Sequence, residues 1–376
     1  MKLSPRSSNT DARHYGIDAL RILATYMVLV LHILGLGGVI DATAFPEARF
    51  IAAWTLEVAA YCAVNCYALI TGYLMINCKY RYTNLALLWL QVVLYGILGT
   101  VLFYFFKPGS VSKVDLLLSP FPVFKKTHWY FSSYFLLFLL IPLINRGFHS
   151  LNRRQAKVMC LMIILVLSVM PTLINVDTFQ LGGGFSPLWL IALYLIGASI
   201  RKFGFGQRIR SRWLILGYGV SVLLSVGLYL LLHLDAFSVL LKVWRKSLLI
   251  LYTAPTILFN GIALFLLSLR LRIKSRWLIK FIRLVSPVTF GVYILHAHRQ
   301  LAEIFLLKNQ FAPLADYPIP LMLGCVLLGG LGMFVFFGVI DGSRIWLFRM
   351  LKLKKRLLAL EEKYIGGLWA QKEDTK

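Results

Sequence analysis

The stretch from Ile17 to Ile40, IDALRILATYMVLVLHILGLGGVI, is long and apolar enough to cross a lipid bilayer. It nevertheless contains three ionisable residues, Asp18, Arg21 and His32. Ionisable side chains are costly inside a membrane, so they usually face a polar interior and mark functional sites. Arg21 and His32 are eleven residues apart, close to three helical turns. We therefore expect both on one face of a helix, about 16 Å apart along its axis.

The composition of the whole chain is that of a membrane protein. Of its 376 residues, 59% are hydrophobic and 15% are charged, with a mean hydropathy of +0.75; a soluble domain carries about 25% charged residues. Apolar runs near twenty residues long, separated by short basic loops, predict an all-α integral membrane bundle of about ten transmembrane helices. The predicted spans are 17–39, 50–76, 82–106, 128–145, 156–174, 187–200, 213–233, 248–269, 284–297 and 319–343.

The distribution of basic residues predicts the orientation of this bundle. With the N-terminus inside, the cytoplasmic segments hold 29 Lys and Arg and the external segments hold 10. Cytoplasmic loops carry such an excess in membrane proteins, so we expect both termini in the cytoplasm and a multi-pass protein of the cell membrane. Most of the net charge of +25 is then explained by the excess of basic residues in cytoplasmic segments, and nucleic acid is not an expected partner.

The segments outside the bundle are basic or polar. We divide the chain into a cytoplasmic tail (1–13), a transmembrane domain that carries the candidate site (14–346) and a basic amphipathic cytoplasmic segment (347–376). The last segment and the loop 270–283 place apolar residues between cations, a pattern typical of interfacial helices that bind anionic lipids. The five cysteines form no C-x-x-C pair, and we expect no metal.

Three titratable residues from three predicted spans lie at similar depth. A helical rise of about 1.5 Å per residue places His32, Glu57 and His296 roughly 22, 20 and 18 Å from the cytoplasmic surface, across a core about 30 Å thick. A neutral imidazole accepts the proton of an attacking hydroxyl, and a carboxylate on its other nitrogen fixes the tautomer. We therefore predict a catalytic group in which His32 is the base, Glu57 orients it, and His296 or an interior cation polarises a carbonyl.

Other polar and aromatic residues are candidates for binding. Arg21, with Lys79 and Arg81 at the cytoplasmic end of the second span, forms a positive entrance that suits a phosphate-bearing group. Asn65 shares that span with Glu57 and is a candidate for substrate binding. Trp129 and Tyr130 open the fourth span, where an interfacial aromatic belt and a surface for stacking a sugar are equally consistent with the sequence.

Several motifs resemble those of the acyltransferase-3 family of membrane O-acyltransferases. Arg21-x10-His32 within GIDALRILATYMVLVLH is similar to the first-span signature of that family. Further similar stretches are CYALITGYLM, HWYFSSYFLLFLLIPLIN, SPLWLIALYLIGA and SPVTFGVYILH. The chain is most similar to the standalone Gram-positive members that modify surface polysaccharides. One departure is that many members carry R-x-x-R after the second span, where this chain has Lys79-Tyr80-Arg81.

The resemblance implies a function. An acyl group, usually acetyl, passes from cytoplasmic acetyl-CoA to a hydroxyl of a cell-surface glycan or a lipid-linked precursor. It also implies that His32 is the catalytic histidine and that Arg21 is its partner in acyl-CoA use. Direct transfer and transfer through an acylated His32 are both consistent with the residues. The alternative is a proton-coupled secondary transporter of an envelope precursor, although the inverted repeats and broken helices of such folds are not evident in the sequence.

Overall fold

The fold consists of helices joined by turns. The computed structural model describes residues 13–107, 109–123, 128–237 and 247–366, and these contain no β-strand. The predicted tail, 1–13, lies outside the described residues apart from Arg13. The α-helices are α1 (Tyr15–Leu34), α2 (Ala48–Ala60), α3 (Ala63–Met75), α4 (Tyr82–Phe106), α5 (Lys113–Leu118), α6 (Trp129–His149), α7 (Arg153–Ile164), α8 (Met170–Ile174), α9 (Pro187–Phe203), α10 (Ser211–Leu231), α11 (Pro255–Arg270), α12 (Arg276–Val285), α13 (Thr289–His296), α14 (Arg299–Phe305), α15 (Ile319–Met350) and α16 (Leu353–Tyr364).

The all-α membrane fold predicted from the sequence is confirmed. Within the described residues, eight helical segments are long and apolar enough to cross a membrane. The remaining two of the ten predicted spans correspond to the shorter helices α9 and α11. Helix α9 is nonetheless deeply buried, with Trp189, Leu193 and Tyr194 fully enclosed, so neighbouring helices cover it along most of its length. The count of ten spans and the cytoplasmic termini stay predictions.

Two predicted spans are shortened by turns in the structure. The first was predicted to run to residue 39, but α1 ends at Leu34 and Gly35 to Ile40 form turns. Val39 is nevertheless fully buried, so this turn folds back against the bundle. The span predicted at 248–269 becomes helical only at Pro255, because proline favours the first helical position, where its missing N–H is not needed.

The second predicted span is broken in the middle. Helix α2 ends at Ala60 and α3 begins at Ala63, so the backbone between them leaves the regular hydrogen-bonding pattern. The freed carbonyl of Ala59 accepts a hydrogen bond from the Tyr218 hydroxyl of α10. Non-helical backbone inside a membrane requires such a substitute partner. No glycine or proline marks this position, so nothing in the sequence predicts the interruption. The predicted span itself, 50–76, corresponds to the segment Ala48–Met75.

The closest helix crossing is between α3 and α9. A Cβ on Gly72 would overlap the backbone of Tyr194, and a Cβ on Gly197 would overlap the backbone of Leu69. Small residues at such crossings let two helix backbones approach closely in a membrane. Gly72 and Gly197 thus permit the close approach, and the crossing fixes α3, the second half of the broken span.

Helix α1 lies at the centre of the bundle. It contacts α2, α3, α11, α12, α13 and α15, and its residues enter both hydrophobic clusters of the core, with Leu20 in one and Leu29 in the other. The helix that carries the polar stripe is thus surrounded by protein on most sides. Its Arg21 and His32 face the interior of the bundle, where ionisable groups are tolerated.

The C-terminal helices form a hairpin beside α4. Helix α15 has 32 residues, about 48 Å at 1.5 Å per residue, which exceeds a hydrocarbon core of about 30 Å. It continues to Met350, so the predicted domain boundary at 346/347 lies within this helix. The chain turns at Lys352, whose φ is +49°, and α16 then packs against α4.

Candidate active site

Two histidines from different helices meet at the C-terminal end of α1. Nδ1 of His32 lies 2.9 Å from Nε2 of His296, and their ring centroids are 4.9 Å apart. His296 is almost completely buried, with 1% of its surface exposed, whereas His32 is half-buried. The structure thus brings together two of the predicted catalytic residues, and His32 is the more exposed of the pair.

The hydrogen bonds of His296 determine the tautomer of His32. Nδ1 of His296 lies 2.9 Å from the carbonyl oxygen of Val292, one turn earlier in α13. A carbonyl oxygen only accepts, so Nδ1 of His296 carries the proton and its Nε2, in the neutral ring, is an acceptor. His32 must therefore donate from Nδ1 to His296. Its Nε2 then holds a lone pair and faces no protein donor within the described residues, as a general base requires.

A polar contact at the other end of α1 fixes its position relative to α13. Asp18 is buried, and its carboxylate pairs with Arg13 and with Arg21, whose Nη1 lies 3.1 Å from Oδ1. The same Oδ1 accepts from the Ser286 hydroxyl at 3.2 Å. Ser286 begins the 3₁₀ turn (Ser286–Val288) that leads into α13, so α1 and α13 are joined near Arg21 as well as at the histidine pair.

A row of tyrosines extends from Arg21 to the histidines. The Thr25 hydroxyl, one turn above Arg21, donates to the Arg21 carbonyl and lies 2.6 Å from the Tyr67 hydroxyl. The ring of Tyr67 packs 5.8 Å from Tyr130, and further ring contacts of 5.9–6.0 Å continue through Tyr293 to His296. Sequence analysis missed Tyr67 and Tyr293 because a tyrosine in an apolar run has no distinguishing spacing.

Glu57 does not orient His32 as predicted. It is buried, with 8% of its surface exposed, and its Oε2 has no hydrogen-bond partner within the described residues. Nδ1 of His32, where the carboxylate was expected, instead faces His296. Glu57 lies beside Tyr61 and Tyr252, whose rings stack 4.7 Å apart. The depth estimate was made for a continuous helix, and it gave no information on the direction in which the side chain of Glu57 points.

Asn65 is a packing residue rather than a binding residue in this structure. It is fully buried, donates to the Tyr252 carbonyl at 2.9 Å and accepts from the Trp189 indole nitrogen at 3.0 Å. Both ends of its amide are thus bonded to protein. The prediction that it contacts a substrate is replaced by a role in joining α3 to α9 and to the segment before α11.

Trp129 and Tyr130 are the first two residues of α6. The Trp129 ring packs 4.4 Å from Phe185 and 6.0 Å from Tyr252 in a stacked arrangement. The hydroxyl of Tyr130 is buried with no hydrogen-bond partner in the part of the chain that the structure describes. Unpaired buried hydroxyls are uncommon in proteins. Their role in binding a substrate stays a prediction, and the unpaired hydroxyl favours it for Tyr130.

The two predicted entrance cations, Lys79 and Arg81, are not equivalent. Arg81 precedes α4 and lies 3.5 Å from the Glu362 carboxylate of α16. Lys79 is exposed. Neither contacts Arg21, whose guanidinium is bonded to Asp18.

A buried ion pair that the sequence analysis overlooked lies nearby. Asp341 of α15 is fully buried, pairs with Arg344 and accepts from Gln91 and from Tyr95, at 2.9 and 2.6 Å. A Cβ on Gly291 would overlap the Asp341 carboxylate, so α13 passes directly over it. The signal was present in the sequence, because Asp341 is an ionisable residue inside the predicted span 319–343.

A match to a protein-family model shows which family the chain belongs to. A family model described as an acyltransferase domain, Acyl_transf_3, matches residues 14–307 of the 376. The chain belongs to the acyltransferase-3 family. No curated protein and no solved structure matches it. The family inferred from the motifs is thereby confirmed, and the chain is a multi-pass membrane acyltransferase.

The matched part of this acyltransferase contains α1 to α14, and therefore both histidines and Arg21. Helices α15 and α16 lie beyond it. The site has the parts that acyl transfer to a hydroxyl requires. His32 offers a lone pair to take up a proton, His296 holds its ring, and Arg21 provides a fixed positive charge lower on the same helix.

Proposed function

We propose that this acyltransferase is an O-acetyltransferase of the cell membrane. It moves an acetyl, or another short acyl group, from cytoplasmic acyl-CoA to a hydroxyl of a cell-envelope polysaccharide or lipid-linked glycan. The observation that carries this proposal is the hydrogen bond from His32 Nδ1 to His296 Nε2, 2.9 Å long. It leaves the remaining nitrogen of His32 unprotonated and directed away from its partner, as a base for a hydroxyl must be.

The reaction follows from the tautomer. Nε2 of His32 removes the proton of the acceptor hydroxyl while its oxygen attacks the thioester carbonyl. The new C–O bond forms, the C–S bond breaks, and the proton passes from His32 to the departing thiolate. His296 keeps the ring of His32 in place, and its Nε2 accepts the hydrogen bond that stabilises the imidazolium. Transfer through an acyl-His32 intermediate would use the same nitrogen as the nucleophile.

Arg21 acts on the donor side. It lies eleven residues from His32 on α1, about 16 Å nearer the cytoplasm under the predicted orientation. Its guanidinium is held by Asp18 and is partly exposed, at 35% of the side-chain surface. A guanidinium in a fixed position binds phosphate or a polarised carbonyl more specifically than a lysine does. We assign it to guiding the thioester arm toward His32.

The acceptor enters from the opposite side. Trp129, Phe185, Tyr61 and Tyr252 form a continuous aromatic group there, with ring separations of 4.4–6.0 Å. Aromatic faces pack against the apolar faces of sugar rings, and the buried carboxylate of Glu57 beside them accepts hydrogen bonds from sugar hydroxyls. This group supports a glycan as the acceptor, and Glu57 is assigned to it rather than to His32.

The test compares wild-type protein with His32→Ala in cells. We expect NMR and mass spectrometry of the surface glycan to show the loss of O-acetyl groups in the variant, at normal levels of membrane-inserted protein. His14→Ala, which removes an exposed histidine near the start of the same helix, serves as the control. Unchanged glycan acetate in His32→Ala would overturn the assignment. Binding of labelled acetyl-CoA to the purified protein separates this function from transport, which does not use that donor.

A further inference from the structure

A large basic cavity lies between α4, α6, α15 and α16. Its volume is about 1000 Å³, at the upper end of the range for small-molecule sites. Its walls include Gln91 of α4 together with Tyr134 and Phe138 of α6. Its charged lining residues are Arg344, Arg349, Lys352, Lys354, Lys355 and Glu362. Five cations against one carboxylate create a strongly positive potential, which favours a ligand with several negative charges.

Most of these cations are available to a ligand. Arg344 is paired with the buried Asp341. The other four have no carboxylate partner within the described residues, and their side chains are exposed. A lysine or arginine that is not neutralised by protein can pair with phosphate oxygens, and several of them around one cavity can do so together.

The fold holds these cations in place through Glu361. Its carboxylate accepts from the backbone N–H groups of Tyr82 and Thr83, at 3.1 and 2.9 Å, and from the Thr83 hydroxyl. The first N–H groups of a helix have no partner inside the helix, so a carboxylate there both caps and stabilises it. Glu361 thereby fastens α16 to the start of α4. The turn at Lys352 completes the cavity wall.

A series of packed aromatic rings extends from the wall of the cavity to the histidine pair. Tyr134 lines the cavity, and its ring stacks 6.0 Å from Tyr130. Tyr130 contacts Tyr293 at 6.0 Å, and Tyr293 contacts His296 at 5.9 Å. The arm of a ligand whose phosphates lie in the cavity would run along these tyrosines toward the histidine pair.

We propose that this cavity binds the phosphate groups of the acyl-CoA donor, through Arg349, Lys352, Lys354 and Lys355. This assignment rests on the proposed function and extends it, because it places the donor nucleotide against α15 and α16, which lie outside the matched acyltransferase domain. It also replaces the predicted entrance formed by Lys79 and Arg81. The same cations would accept the phosphate of an anionic lipid headgroup, and the experiment includes that source.

The experiment measures ligand binding by the full chain in nanodiscs of neutral phosphatidylcholine. The test variant, Lys354→Gln with Lys355→Gln, removes two cations that line the cavity. The control variant, Arg356→Gln with Lys363→Gln, removes two cations from the same helix that do not line it. The probes are CoA, 3′-dephospho-CoA and S-acetylpantetheine, which differ in their phosphate groups.

We expect the test variant to raise the Kd for CoA at least tenfold and to reduce the preference for CoA over 3′-dephospho-CoA. Its affinity for S-acetylpantetheine should not change, because that compound has no nucleotide phosphate. The control variant should bind all three probes as the wild type does. In turnover, the test variant should raise the KM for acetyl-CoA and leave kcat within about twofold.

Three results would overturn the proposal. One is CoA binding by the test variant that equals that of the wild type. A second is equal weakening by both variants, which indicates general surface charge. The third is a test variant that binds CoA normally in the neutral nanodiscs but binds less phosphatidylglycerol than the wild type when nanodiscs containing that lipid are used, which assigns the cavity to lipid phosphate. If the wild type is active and the test variant has the same KM for acetyl-CoA, only the cavity assignment is contradicted. If the wild type binds no CoA, the proposed function is contradicted as well.

Discussion

The hydroxyl of Ser286 lies 3.2 Å from Oδ1 of Asp18 and donates to it, joining the start of the α13 segment to the start of α1. Ten residues after Ser286, His296 meets His32, which lies fourteen residues after Asp18. The two segments are therefore held at both ends by polar contacts, with apolar packing between them. A rigid frame of this kind keeps the imidazole rings in register while substrates enter and leave.

Asp18→Asn tests this frame. The replacement removes the charge that Arg13 and Arg21 neutralise, and we expect it to destabilise the protein by about 1–2 kcal/mol, since the carboxylate is buried but both arginines are partly exposed. The melting temperature in detergent should fall by several degrees and the KM for acetyl-CoA should rise, because Arg21 loses its partner. Asp316→Asn, at an exposed carboxylate, should change neither quantity. If Asp18→Asn keeps the melting temperature and the KM of the wild type, the contacts of the Asp18 carboxylate have no structural role.

His296→Ala tests the histidine pair. Without the acceptor for Nδ1, His32 loses its fixed tautomer and orientation, and we expect kcat to fall on the order of 10²-fold. The amide oxygen of His296→Gln can accept the same hydrogen bond, so this variant should recover part of the activity. Glu57→Gln is the informative comparison. Because Glu57 is assigned to binding the acceptor and not to His32, this variant should lower kcat by less than about tenfold. A larger loss in Glu57→Gln than in His296→Ala would restore the carboxylate as the partner of His32.

Gly72→Ala tests the crossing of α3 and α9. The added methyl group meets the backbone of Tyr194, and neither helix can yield without separating, so we expect a loss of about 1–3 kcal/mol in stability. The matched control is Gly219→Ala in α10, where a Cβ has no neighbour within 4 Å. The control should be neutral or slightly stabilising, because alanine has the higher helix propensity. The measurement is thermal melting of both variants. A Gly72→Ala variant that is no less stable than the control would contradict the close approach.

Glu361 predicts a pH dependence. Burial raises the pKa of its carboxyl group, but the hydrogen bonds from Thr83 and Tyr82 and the charge of Arg81 outweigh this effect and hold the pKa below its ordinary value. The group is therefore more acidic in the folded protein than in the unfolded chain. Its contribution to stability is complete above the unfolded pKa, about 4.3, and is lost as the pH falls through the lowered folded value.

The measurement is the melting temperature of wild type and Glu361→Gln as a function of pH. We expect a constant advantage of the wild type near neutral pH, which shrinks on acidification below the ordinary glutamate range. Glu362→Gln provides the control, since its carboxylate makes one long contact with the Arg81 side chain at 3.5 Å and does not bond the backbone N–H groups of Tyr82 and Thr83. A difference between wild type and Glu361→Gln that does not change with pH would show that the carboxylate charge is not the stabilising feature.

The sequence predicts those features that depend on composition and on spacing along one helix. Apolar runs identified the helices, and the eleven-residue spacing placed Arg21 and His32 on one face of α1. The depth estimate also grouped His296 with His32 correctly. These properties are local, or depend only on how far each helix has risen through the membrane.

Features that depend on the rotation and interruption of helices were not predictable in this way. Glu57 has the right depth but faces Tyr61 and Tyr252, because a depth does not give the direction of a side chain. The break after Ala60 is stabilised by a hydroxyl from Tyr218, 159 residues away in the sequence. The basic cavity arises from the turn at Lys352, which brings α16 back to α4 and has no glycine to mark it.

The interruption between α2 and α3 has a mechanical consequence. The two halves of this span are fastened to different neighbours, α2 to α10 and α3 to α9. The α3 half is held by the close crossing of Gly72 and Gly197 with the backbone of the facing helix. Because α2 and α3 are anchored to different helices, a small displacement of α2 against α10 does not have to be transmitted to α3.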